Sequence, residues 1–203
     1  MTALLIVVII VVLILLYVAY RFNRLIRLRT RTQEAWSDID VELKRRYALI
    51  PNLVNTVQGY AAHERGVFEA VTAARTNALA ASKTGDPAQM AGAEDALTGS
   101  TRQLLAVAEN YPQLKASELF LNLQEQLTAT EDKVEFSRRF YNGNVRDFNT
   151  ALQTFPTSVI GQMLHFQPFA FFAVADSERA APTVSFAASA PTPTAPPPPP
   201  PAS

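Results

Sequence analysis

The 203-residue chain contains no cysteine. That removes disulfides, thiol nucleophiles and cysteine-ligated zinc together, and it says nothing further about compartment. Histidine is almost as scarce, with only His63 and His165. His63-Glu64 opens like the helical zinc-protease motif, but the second histidine would fall at Val67. Di-iron bundles place a glutamate three residues before histidine, and Tyr60 and Gln162 hold those positions here. The plainer reading of His63 is a polar helix face. Net charge is absent too: 18 basic residues balance 18 acidic ones, so no overall field favours nucleic acid or acidic substrates. The chain also lacks a glycine-rich phosphate loop and any nucleophile pattern of Ser, His and Asp. The acidic group Glu34, Asp38, Asp40 and Glu42 reads as a solvated face. No cofactor, metal or catalytic residue is expected, and nothing positive points to an enzyme.

What is present is unevenly spread. Hydrophobic residues make up 48% of the chain, but the first twenty residues hold much of that share. Ala3 to Ala19 is an unbroken apolar run, and no charge appears before Arg21. A membrane span takes roughly 17–25 such residues. A buried core helix and a cleaved signal peptide are the rivals. No Lys or Arg precedes the run, and no small-x-small site follows it, so residues 1–20 are read as a retained transmembrane helix. Residues 21–34 form a basic helical extension with Arg21, Arg24, Arg27, Arg29 and Arg31 and no acid before Glu34. The positive-inside rule then leaves the N-terminus outside and the rest of the chain cytoplasmic, at the plasma membrane. Each arginine could also hold anionic headgroups, at about 1 kcal/mol apiece. Tyr17 and Tyr20 sit where interfacial aromatics are expected.

In the middle, apolar residues recur at Trp36, Ile39, Leu43, Tyr47, Ile50, Val54, Val57, Ala61, Phe68 and Val71. This alternation of three and four predicts one long helix across residues 35–71, with Glu64 the poor fit on its seam. Pro51 lies inside it, and because the seam keeps its phase a kink is favoured over a break. Asp40–Lys44 and Glu42–Arg46 are acid-first i,i+4 pairs. Asp86, Pro87 and Gln89 make a capping-box start for a second helix running to about Asn110. A third begins at Ser117-Glu118, with a seam through Phe120, Leu123, Leu127, Thr130, Val134, Ser137, Tyr141, Val145, Phe148 and Leu152, and closes at Phe155-Pro156. Residues 157–164 can form a short fourth helix. Phe166, Phe169, Phe171 and Phe172 then either plug the open end of the bundle or make a second membrane or partner contact. Residues 173–186 read as an extended tail, and 187–203, rich in Pro and Ala, as a disordered polyproline-II spacer or proline-domain ligand.

The fold class is therefore all-α. A transmembrane helix precedes an antiparallel up-and-down bundle over residues 35–172, with three long helices plus a short C-terminal one, or with helix one split at Pro51. Two polar groups near the seams stand out as structural or interaction candidates. One is Arg45, Arg46 and Asn52. The other is Arg138, Arg139, Asn142, Arg146, Asp147 and Asn149. Meeting across the bundle, they would form a hydrogen-bonded layer that fixes register; exposed, they would form a binding surface.

At these same residues the chain resembles the LemA family. The matching segments are AWSDIDV from Ala35, LKRRY from Leu43, LIPNLV from Leu49, GYAAHE from Gly59, AENYPQLK from Ala108, RRFYN from Arg138 and VRDFN from Val145. The chain departs from the family pattern after Phe155-Pro156, where Thr157-Ser158 and later His165-Phe166 stand, and in its polyproline tail. The resemblance implies a bacterial-type membrane protein with one N-terminal span and a helical bundle. The resulting expectation is a non-enzymatic membrane-anchored scaffold or interaction module, or alternatively a switching sensor or regulatory subunit. Its expected partners are the membrane and one or more proteins. Homo-oligomerisation is compatible with this picture and nucleic acid is not expected.

Overall fold

The computed structural model describes residues 1–172, so the tails expected at 173–186 and 187–203 lie outside the described residues. Six helices follow one another: α1 (Thr2–Gln58), α2 (Arg65–Thr84), α3 (Pro87–Ala108), α4 (Pro112–Lys115), α5 (Glu118–Gln153) and α6 (Thr157–Met163). No strand occurs among the described residues.

α1 has 57 residues, about 85 Å of helix at the usual rise. Its N-terminal part includes an 18-residue window of mean hydropathy 3.3, none of it buried, and is long and apolar enough to cross a membrane. From Leu25 onward α1 buries one stripe through Ile39, Leu43, Tyr47, Ile50, Leu53 and Val57. The facing stripe on α5 is Phe120, Leu123, Leu127, Thr130, Val134, Ser137, Tyr141, Val145 and Phe148, all buried. These nine are the first nine positions of the predicted seam. Trp36 packs on Tyr141 with ring centroids 5.1 Å apart, and ten residues further along α1, Arg46 meets Glu131, ten residues earlier in α5. α2 and α3 pack against each other and cover the rest of the α1 stripe.

Pro51 neither splits nor stops α1. A proline has no N–H for the carbonyl four residues earlier, here that of Tyr47. The vacant acceptor is taken from another helix, since Arg75 Nε of α2 donates to the Tyr47 carbonyl at 2.7 Å. The break comes later, contrary to the single helix expected across 35–71. Gly59, Tyr60 and Ala61 turn on bonds to the Asn55 and Val57 carbonyls, and Glu64 becomes the residue preceding α2. His63 therefore lies exposed in a connection and not on a helix face. The seam survives in sequence because Ala61 and Phe68 are both buried, one in the turn and one on the next helix.

α2 ends at Gly85, whose φ of 68° is left-handed, a conformation glycine adopts without Cβ strain. Asp86 then caps α3, accepting from the Ala88 amide at 2.9 Å. The expected box closes differently: Gln89 Nε2 donates to the Asp86 carboxylate at 3.0 Å, while the Asp86 amide donates to Thr84 Oγ1 at 3.2 Å. α6 follows α5 after a short turn, with Thr157 and Gly161 buried. Residues 165–172 then run without helical structure along the seam between α1 and α5. The phenylalanines of this strap lie along the flank of the bundle and do not plug its end. Phe172 is fully buried against Trp36, at 6.1 Å, and Phe169 packs edge-on to Phe148 at 5.2 Å.

Candidate functional site

One cluster of buried charge lies in the middle of the bundle. Arg46 projects inward from α1 with its side chain 4% exposed and meets Glu94 of α3, 3% exposed, at 2.8 Å. Its other terminal nitrogen donates to Thr98 Oγ1 at 2.9 Å and to Glu131 of α5 at 3.0 Å. The Tyr47 hydroxyl donates to the second Glu94 oxygen. One guanidinium thus ties three helices. Burial pushes the Glu94 carboxyl above its usual range, and the Tyr47 hydroxyl and the Arg46 charge pull it only partly back. Burial, then the neighbouring Glu94 charge, pushes the Tyr47 phenol up. The local pair Glu42–Arg46 expected along α1 gives way to this cluster, and Glu42 Oε2 and Arg46 Nε are buried without a hydrogen-bond partner. A guanidinium inside a bundle needs a buried carboxylate close by, and α3 supplies it where the neighbouring turn does not.

A second arrangement holds the strap to α5. Asn149 grips Phe169 at both backbone groups, donating to its carbonyl at 2.9 Å and accepting from its amide at 3.0 Å. Asn142 does the same to Phe172, at 3.0 and 2.9 Å. The Tyr141 hydroxyl donates to the Ala170 carbonyl at 2.9 Å. Seven residues of helix rise about 10.5 Å, and three residues of chain reach about 10 Å when extended, so the two clasps and the two phenylalanines keep step. Arg138 lies over the Phe172 ring at 4.5 Å and Arg29 over the Phe166 ring at 5.6 Å.

The predicted polar residues therefore part company. Arg46 is in the buried cluster and Asn142 and Asn149 are in the clasp, whereas Arg45 and Asn52 are exposed on α1. Arg139 is exposed and paired with Glu135 one turn away. Arg146 and Asp147 are exposed and share a groove with Arg21 and Arg24, while Arg27 and Arg31 face solvent. The two groups do not meet as a single layer. Glu94, Glu131, Thr98 and Arg75 were not singled out from sequence. Glu94 had a signal, since it occupies the gap between Met90 and Leu97 on the buried face of α3. Among the described residues, no three His, Asp or Glu side chains gather as metal ligands would.

An all-helical bundle continuous with an exposed apolar N-terminal helix is the class of protein these features define. The chain belongs to the LemA family, whose model matches residues 35–186. It is 30% identical over 161 residues to Protein LemA of Metamycoplasma hominis, covering 78% of this chain and 72% of that protein. It is also 22% identical over 175 residues to magnetosome protein MamQ 2 of Paramagnetospirillum magneticum. Magnetosome protein MamQ of Magnetospirillum gryphiswaldense is 21% identical over the same length. The matched region is 64% of either MamQ protein, less than two thirds of its length.

Proposed function

We propose that this protein is a single-pass, membrane-anchored, non-enzymatic scaffold or protein-interaction module. Its antiparallel up-and-down bundle hangs on the cytoplasmic face of the plasma membrane. The observation that carries this reading is the continuity of α1: one helix is apolar and wholly exposed in its first part and forms the spine of the bundle in its second. A hydrocarbon environment gives that exposed part a partner, and the five arginines after it supply the charge asymmetry for orientation. The face offered to other proteins is polar around Arg45 and Asn52. On α5 it carries the exposed, parallel rings of Phe136 and Phe140, 6.4 Å apart. Photo-crosslinking in living cells from positions 45 and 140 should give discrete protein adducts. A protein that stays monomeric and uncrosslinked at both positions would sink the interaction reading, and degradation of the bundle by protease added outside intact cells would reverse the topology.

A second reading, a sensor or regulatory subunit, is favoured by the Arg46–Glu94–Glu131 cluster. It joins three helices through one guanidinium, so a small displacement of α1 or α3 must break the buried Arg46–Glu94 pair, and one of α5 the half-exposed contact to Glu131.

A further inference from the structure

The end of the bundle nearest the apolar part of α1 carries two features that the scaffold reading leaves unused. The first is a stripe of exposed apolar side chains at Phe155, Val159 and Met163, exposed by 77%, 48% and 74%, with Leu164 beside it at 51%. Val159 and Met163, four apart, lie on one side of α6, and Phe155 is exposed in the turn before it. Thr157 and Gly161 form the opposite, buried side, where a Cβ on Gly161 would come within 2.8 Å of Leu152. The second feature is a groove of about 330 Å³ between α1 and α5, lined by Arg21, Arg24, Arg146, Asp147, Thr150 and Thr154, among others. Three guanidiniums there face one carboxylate. Arg21 is held in place by Tyr17, to whose hydroxyl it donates at 3.2 Å.

We propose that this end of the bundle is a lipid-binding face, in which the Phe155–Val159–Met163 stripe enters the membrane interface and the arginine groove takes the phosphate of an anionic phospholipid. The proposal rests on the reading of α1 as a membrane span. Depth supports it. The groove begins at Arg21, directly after the apolar run, and reaches Leu25 and Leu28. The two α1 arginines of the groove, Arg21 and Arg24, lie within four residues of Tyr20, about 6 Å of helix, which matches a headgroup layer of roughly 5–8 Å on each side of the hydrocarbon. Helices with one apolar side lie at that depth. Charge supports it too, because a phosphodiester offers two oxygens of the kind that guanidinium forks bind in pairs. A dissolved phosphate would satisfy the groove alone, whereas a lipid accounts for the groove and for the apolar stripe beside it.

The absence of native cysteine allows a single reporter thiol in the full chain. Met163→Cys, Leu13→Cys and Phe136→Cys, each carrying an environment-sensitive fluorophore, are placed in nanodiscs with nitroxide-labelled lipids. Met163→Cys should be quenched by nitroxides near the headgroup, more strongly in phosphatidylglycerol than in phosphatidylcholine discs, and Phe136→Cys should not be quenched. Adding Arg24→Gln and Arg146→Gln should raise the fraction of anionic lipid needed for half-quenching by about tenfold or more. Inorganic phosphate in solution should leave that fraction unchanged, and displacement of the lipid by it would overturn the lipid assignment. If Leu13→Cys is quenched deep in the bilayer while Met163→Cys stays as accessible as Phe136→Cys, this inference fails and the anchor stands. If Leu13→Cys is not quenched, the anchor and the inference fall together.

Discussion

Replacing Arg75 by Met should destabilise the bundle more when Pro51 is present than when it is replaced by alanine. The Tyr47 carbonyl loses its ordinary donor to the proline and receives Arg75 Nε in its place, at 2.7 Å from a different helix. A hydrogen bond from a charged donor contributes about 1.5–3 kcal/mol, and because this one is half-buried, about 2 kcal/mol is the working figure. For a chain of this size that corresponds to a fall in Tm of about 4–8 °C. Methionine keeps the length of the aliphatic stem, so most of the loss is the bond. In a Pro51→Ala background the restored backbone amide can reach the same carbonyl, and Arg75 becomes a second donor to a group already satisfied. Arg75→Met should then cost less than about 1 kcal/mol, leaving a coupling of about 1–2 kcal/mol between residues on different helices. The assay is a double-mutant cycle read by far-ultraviolet circular dichroism melts of the full chain in one detergent. Equal costs in the two backgrounds, within about 0.5 kcal/mol, would refute the reasoning, since Arg75 would then be acting through packing or charge and not through the orphaned carbonyl.

Other consequences can be checked on the same preparations. Burial raises the Glu94 carboxyl above its ordinary 4.5, so the folded state holds that proton more tightly than the unfolded one. Stability should therefore fall as pH rises from there through the raised folded value. Glu94→Gln, neutral at every pH, should flatten that limb in urea melts. Asn142→Leu and Asn149→Leu should each free one end of the strap and raise chymotryptic cleavage after Phe171 by about tenfold, the equivalent of roughly 1.4 kcal/mol of lost hydrogen bonding. Arg139→Leu, on the exposed side of α5, should leave the cleavage rate unchanged. Gly85→Ala should lower Tm by about 2–4 °C, because a Cβ at φ 68° costs about 1 kcal/mol.

The parts of this fold that were legible in the sequence are those set by short-range rules. The α5 stripe and the Asp86 start of α3 needed only the helix period and the chemistry of an N-cap. The end of α1 was misread for an instructive reason. Spacing records which residues are buried, not the path the chain takes between them, so a seam running Val57, Ala61, Phe68 looks continuous although the helix stops at Gln58. The misfit of Glu64, with Gly59 and Gly66 on either side, was the trace of that stop.

Charge pairing shows the same limit from the other direction. The i,i+4 rule assigned Arg46 to Glu42, a contact worth a few tenths of a kcal/mol in water. Desolvation changes the comparison, because a buried guanidinium requires an equally buried carboxylate, and Glu94 lies 48 residues away. The strap is an intermediate case, since both halves of its clasp carried a period. Asn142 and Asn149 repeat at seven on a helix, while Phe166, Phe169 and Phe172 repeat at three in a chain too short and too interrupted by Pro168 to be helical. Each period corresponds to about 10 Å, one as helix and one as extended chain, so equal lengths in two different backbone geometries were the available sign that one would lie along the other.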